Sequence, residues 1–224
     1  MIQSNMTIGF FGDSFCSDIK NKHSIDYKYD TYLEKVANHF TATITNTGVG
    51  GSSAWDVVLI QFNEQVKKGL PDVCVFVWSD LHRLFHRTHR NLNFNSVERI
   101  HTPVHNAAKE YYHHLHDQEK QSLEYISLLY YFDNVILPKH PNINFIHLWS
   151  FGEDPISTTP AGERHYIYQW KTGVEIRPAL ATLSVDSIEM EFPTLDLRAN
   201  HISGDEKNQK AADWIISAIN YPQA

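Results

Sequence analysis

The chain has 224 residues, 42% of them hydrophobic and 20% charged, with a formal net charge of −7. That balance supplies one large domain with enough apolar material for a core, and it excludes both a disordered chain and a basic nucleic-acid coat. No run of about 18 apolar residues is present to span a membrane, and residues 1–7 have neither the basic start nor the apolar stretch of a secretory signal. Two cysteines, Cys16 and Cys74, make no disulfide framework and lack zinc spacing, so both are expected reduced, in a cytoplasmic setting.

Thr7 to Asp13 is a short apolar run ending in Gly-Asp, the pattern of a buried parallel strand and its turn. Tyr29, Leu33, Val36 and Phe40 follow at helical spacing, and the β-branched stretch Ala42 to Asn46 predicts a second strand. It leads into Gly48-Val-Gly-Gly51, where the backbone must adopt unusual angles or approach something closely. Trp55 to Lys68 predicts a helix, closed by Gly69 and Pro71, and Val73 to Val77 a strand that is apolar on both faces and so central.

Eight of the fourteen histidines fall between Ser79 and His116, where the pattern weakens. Helical spacing resumes from Ala107 to Tyr131 through Tyr111, Leu115, Ile126 and Leu129, and Asn144 to Trp149 predicts a fourth strand. Phe151 to Leu183 reads as an irregular insertion. Ser203-Gly-Asp-Glu206 fits a capping box opening a last helix through Ala211, Ala212, Ile215 and Ile219. Strands alternating with helices predict a single α/β domain over residues 1–224, with a mainly parallel sheet and insertions at 79–116 and 151–183. Ligands of such sheets bind beyond the carboxyl ends of the strands. Three loops leave those ends: Gly12-Asp13-Ser14, Gly48 to Ser53, and Trp78-Ser79-Asp80.

A serine at a strand-to-helix turn exposes its hydroxyl beside backbone N–H groups able to hold an oxyanion, which makes Ser14 a candidate nucleophile. His201, just before the last helix, lies on a loop at the sheet edge. With these residues placed, Gly12-Asp13-Ser14 resembles the first block of the SGNH (GDSL-type) hydrolases. Asn46-Thr-Gly-Val-Gly-Gly51-Ser-Ser resembles their second block, and Asn200-His201-Ile-Ser their last. The resemblance implies a three-layer α/β/α, flavodoxin-like fold and an esterase that needs no cofactor and no metal. It puts the nucleophile on Ser14, the general base on His201 and an oxyanion N–H on Gly51, with Gly50 the alternative.

Two departures from the family stand out. Ser79 takes the place of the asparagine that donates to the oxyanion in the third block, and Arg198 occupies the place of the acid three residues before the histidine. Asp196 is the nearest carboxylate to replace that acid; a backbone carbonyl serving a Ser14–His201 dyad is the alternative. Trp78-Ser79-Asp80-Leu81-His82-Arg83 is similar to a stretch of phage-type members. Asp13, Asp80 and Arg83 are accordingly the candidate substrate contacts, although Asp13 reads first as an anchor for its own loop. The implied partner is a small-molecule or carbohydrate ester, for example an acetylated sugar, and neither nucleic acid nor a membrane. The two departures also motivate a different reading, a non-catalytic binding or assembly module that kept the cleft.

Other candidates carry two readings each. His82, His86 and His89, at i, i+4 and i+7, would share a helix face as metal ligands, but no carboxylate completes a zinc motif. Four arginines against Asp80 and Glu98 between residues 80 and 99 suit a basic lid or a solvated face. Trp149, Phe151, Tyr166, Tyr168 and Trp170 are either stacking platforms for a sugar or a small core. Cys16 reads as packing under the first turn. A phosphate-binding loop is disfavoured, because the glycine stretch has neither a Walker nor a Rossmann pattern.

Overall fold

A computed structural model describes residues 6–17, 30–79, 81–150, 168–177, 179–183, 202 and 204–221. Strand β1 (Thr7–Gly12) sends Ile8 and Phe10 into one apolar cluster and Phe11 into another. Helix α1 (Tyr32–Phe40) opens with a capping box between Thr31 and Glu34 and buries Tyr32, Leu33 and Val36 on the Phe10 side. Strand β2 (Thr43–Asn46) follows. Helix α2 runs from Ala54–Asp56 through a π-helical stretch, Val57–Phe62, to Asn63–Lys68, and packs on the Phe11 side.

Strand β3 (Val73–Trp78) is buried along its whole length, with Val73, Val75 and Val77 on the first side and Cys74, Phe76 and Trp78 on the second. Its continuous apolar run therefore marks a strand covered on both faces. After a short helix at Phe94–Val97 come α3 (Pro103–His114) and α4 (Gln118–Tyr131). The uninterrupted helical spacing expected from 107 to 131 is broken between them: Asp117 caps α4 through Lys120 N–H, and Leu115, which kept the spacing, is 72% exposed. Strand β4 (Asn144–Trp149) and the two-residue β5 (Val174–Glu175) complete the sheet, and α5 (Gly204–Asn220) closes the described chain. Residues 174–175, expected within an irregular insertion, thus supply an edge strand, paired with Ile146 and His147 of β4.

All pairings are parallel, in the order β2-β1-β3-β4-β5. Helices α1 and α5 cover one face and α2 and α4 the other, the expected three-layer α/β/α arrangement with flavodoxin-like strand order. Among the described residues no helix is long and apolar enough to cross a membrane.

Candidate active site

In a sheet ordered 2-1-3-4-5 the connections leaving β1 and β3 run to opposite sides, which opens a crevice at the carboxyl ends of those two strands. Ser14 and Ser79 both stand at that edge. Ser14 opens a single 3-10 turn, Ser14–Cys16, capped by Asp13, whose Oδ1 accepts from Phe15 N–H at 3.0 Å and from Ser150 Oγ at 3.0 Å. Asp13 is fully buried, and these bonds anchor the turn to the end of β4. Ser14 itself is partly exposed, while Phe15 and Cys16 drop into the core beside Tyr32 and Ile202.

The glycine loop is packed directly on this turn. Gly48 N–H donates to Cys16 O at 2.8 Å and Val49 N–H to Gly12 O at 3.0 Å. A β-carbon at Gly48 would overlap Cys16 Sγ and stand 2.7 Å from Asp13 O, so glycine is required by close approach. A β-carbon at Gly50 would stand 3.8 Å from Ser14 Cβ, which puts this loop against the candidate nucleophile. Gly51 has φ +78°, and a β-carbon there would overlap the Asn91 carboxamide.

Ser79 is 2% exposed, and its hydroxyl makes no hydrogen bond among the described residues. Its carbonyl accepts from Tyr125 Oη–H at 3.0 Å. A buried hydroxyl without a partner is costly, and among the described residues nothing satisfies this one.

The segment after Ser79 is not helical over residues 81–92, so the helix face that His82, His86 and His89 would share does not form. Residues 81–92 form an irregular strap closed by Leu84 N–H to Leu92 O at 2.9 Å, and they fold onto the glycine loop. Arg83 Nη1 lies 3.3 Å from Asp13 Oδ2 and donates to Ser52 O at 3.1 Å. Arg90 Nη1 lies 3.1 Å from Asp56 Oδ1, and Asn91 N–H donates to Gly51 O at 3.0 Å. Two of the arginines read as a basic lid or a solvated face are therefore paired with buried aspartates. Burial is the main cause that raises the Asp56 carboxyl above its ordinary value, against the lowering effects of Ser53 and Arg90.

The histidines disperse in the same way. His116 bonds Gln121, which His82 also approaches, His86 pairs with His89, and His113 meets Glu98. Among the described residues no three histidine, cysteine or acidic side chains are grouped to hold a metal. Of the aromatics, Trp149 and Tyr168 are buried, and Trp170 stacks on His147 with ring centroids 3.6 Å apart, so these three belong to the core. Phe151 and Tyr166 lie outside the described residues, as do Asp80, Asp196, Arg198, His201 and Ser203.

Two residues of this site, Gln61 and Ser150, escaped the sequence reading, and Ser52 was legible only as part of the Gly48 to Ser53 loop. Gln61 Oε1 accepts from Gly12 N–H at 3.0 Å, and its Nε2 donates to Gly12 O at 2.8 Å and to Ser52 Oγ at 3.0 Å. The one available signal was a glutamine four residues from Val57 on the apolar face of α2.

No family model matches the chain, and no curated protein matches it. Among solved structures it is similar to a protein assigned to the GDSL-like lipases from Parabacteroides merdae, at 13% identity and a TM-score of 0.44 over 96% of this chain and 95% of that one. It is likewise similar to a protein assigned to the lipolytic G-D-S-L family from Desulfitobacterium hafniense, at 12% identity and a TM-score of 0.44, covering 96% and 99% of the two chains. A third is a carbohydrate esterase whose active site displays divergent catalytic and non-catalytic binding functions, at 13% identity and a TM-score of 0.46, covering 98% of this chain and 69% of that one. No residue role rests on these likenesses.

Proposed function

We propose that the chain is a serine ester hydrolase. The observation that carries this reading is the meeting of Ser14 with the glycine loop at the switch-point crevice, beside the buried hydroxyl of Ser79, which has no partner among the described residues. Ser14 Oγ attacks the ester carbonyl as the His201 imidazole takes its proton. The negative charge that develops on the carbonyl oxygen is held by the N–H groups of Ser14 and Gly51 and by the Ser79 hydroxyl. Collapse breaks the bond to the alcohol, which leaves with the proton from His201. Water, deprotonated by His201, then releases the acid and restores Ser14. Asp196 or a backbone carbonyl orients His201. The proposed substrate is a short acyl ester of a carbohydrate, by resemblance to the SGNH hydrolases. Asp13 and Arg83 act in this scheme by positioning the two loops, and Asp80 remains the candidate substrate contact.

Hydrolysis of p-nitrophenyl acetate, butyrate and octanoate by wild type, Ser14→Ala, His201→Ala and Ser79→Ala tests the scheme. The expected result is turnover of the short esters by wild type and loss of at least about 10³-fold in the first two variants. Ser79→Ala should lose about 10²-fold. Turnover by Ser14→Ala equal to wild type would contradict the scheme. A folded wild type inert toward all three esters favours the non-catalytic module that Arg198 and Ser79 motivate.

A further inference from the structure

Gln61 is a primary amide on the inward face of α2, among Val57, Val58 and Phe62, and it is only 7% exposed. An amide in such surroundings is tolerated when its donors and acceptor are matched. Both ends of this one are matched by the two loops of the candidate site. Its carbonyl takes the N–H of Gly12, and its amino group reaches Gly12 O and Ser52 Oγ. Gly12 stands two residues before Ser14, and Ser52 directly follows Gly51. One side chain therefore joins the end of the strand that carries the nucleophile to the loop that carries the oxyanion N–H. The stretch of α2 that bears it, Val57–Phe62, is π-helical, a departure that is frequent at functional sites.

We propose that Gln61 is a positioning residue whose carboxamide sets the separation between Ser14 and the Gly51 N–H; this rests on the reading of Ser14 as nucleophile. Arg83 spans the same loops by a separate route, from Asp13 to the carbonyl of Ser52, so the brace has two members and either can be removed alone. Gln61 differs from a packing residue in a specific respect. Methionine matches its length and volume yet makes none of its three hydrogen bonds. A carboxylate keeps acceptors for Gly12 N–H and for the Ser52 hydroxyl but has no donor for Gly12 O, and it regains one when protonated.

The experiment follows the rate of fluorophosphonate labelling at saturating and limiting probe in wild type, Gln61→Met and Gln61→Glu, together with the backbone amide resonances of each. Misplacing a reacting group by about 1 Å costs about 10²-fold, so Gln61→Met should lower the maximal labelling rate by that order with half-saturation little changed. Gln61→Glu should fall between, and its rate relative to wild type should rise as pH is lowered and the introduced carboxyl takes up a proton. In both variants the resonances of Asp13, Ser14, Gly51 and Ser52 should move together. A maximal rate equal to wild type, or shifts confined to Gly12, would overturn the proposal. If Gln61→Met does not fold, Gln61→Glu carries both measurements. If wild type does not label, the hydrolase reading fails by itself, and the resonances alone decide: joint movement of the two loops supports the brace, and movement of Gly12 only removes it.

Discussion

His147 accepts a hydrogen bond at Nδ1 from Trp78 Nε1–H, 3.1 Å away, and its Nε2 lies 3.0 Å from Thr172 O. An indole nitrogen only donates and a carbonyl only accepts, so the ring is the neutral Nε2–H tautomer. Burial is the main cause that lowers its pKa from 6.5 to about 3. The unfolded chain takes up this proton below about 6.5 and the folded chain does not, so stability is full above that pH and is lost as pH falls toward 3. At about 1.4 kcal/mol per pH unit, the loss from this residue reaches about 2 kcal/mol by pH 5. Glutamine can serve both partners without titrating. Urea unfolding at pH 7 and pH 5 should therefore show a difference about 2 kcal/mol larger in wild type than in His147→Gln. Equal differences would contradict the assignment. At Gly48, alanine would meet Cys16 Sγ and Asp13 O, so Gly48→Ala should cost about 1–3 kcal/mol in the same assay. A loss within about 0.5 kcal/mol would mean that the loop is not held against the turn.

The strap over residues 81–92 is fastened by side chains that reach partners far away in sequence. Arg90 and Asp56 are its second fastening, and Asp56 is also the N3 residue of the capping box that opens α2. Removing the cation strands a buried carboxylate, and Arg90→Met should destabilise the fold by about 3 kcal/mol at neutral pH. Because the folded Asp56 carboxyl already titrates above its ordinary value, the folded chain keeps that proton longer than the unfolded one. This contribution therefore declines as pH rises, and the penalty of Arg90→Met should shrink as pH is lowered toward 4. Unfolding free energies of wild type and variant at neutral and acid pH check this; a penalty independent of pH would contradict it. Such fastenings leave no local pattern, which is why residues 79–116 were legible only as an insertion where the pattern weakens. The break at Leu115 was hidden for a related reason: the residue kept the apolar period although it is 72% exposed.

Across the molecule, legibility followed burial. β1, β3 and β4 are mainly apolar runs, with His147 the polar interruption in β4, because both their faces are covered, and their bounds were readable to within about one residue. β5, two residues long and half buried, carries no period at all. The loops at the strand ends were readable as candidates, because polar residues and glycines interrupt apolar strands there. Gln61 and Ser150, which connect those loops, were not, nor was the part Ser52 plays within its own loop, since their partners are joined only by the fold. The same architecture predicts the order of opening: amides of β3, central in the sheet and buried throughout, should exchange with deuterium more slowly than those of β2 at its edge. Faster exchange from β3 would contradict the strand order.

The proposed function turns on an activated serine at the β1/β3 switch point. Its most direct test is intact-mass analysis after fluorophosphonate treatment of wild type and Ser14→Ala. A single adduct on wild type, mapped to Ser14 and missing in the variant, is the predicted result. A folded wild type that gains no adduct, or an adduct that persists in Ser14→Ala, would contradict it.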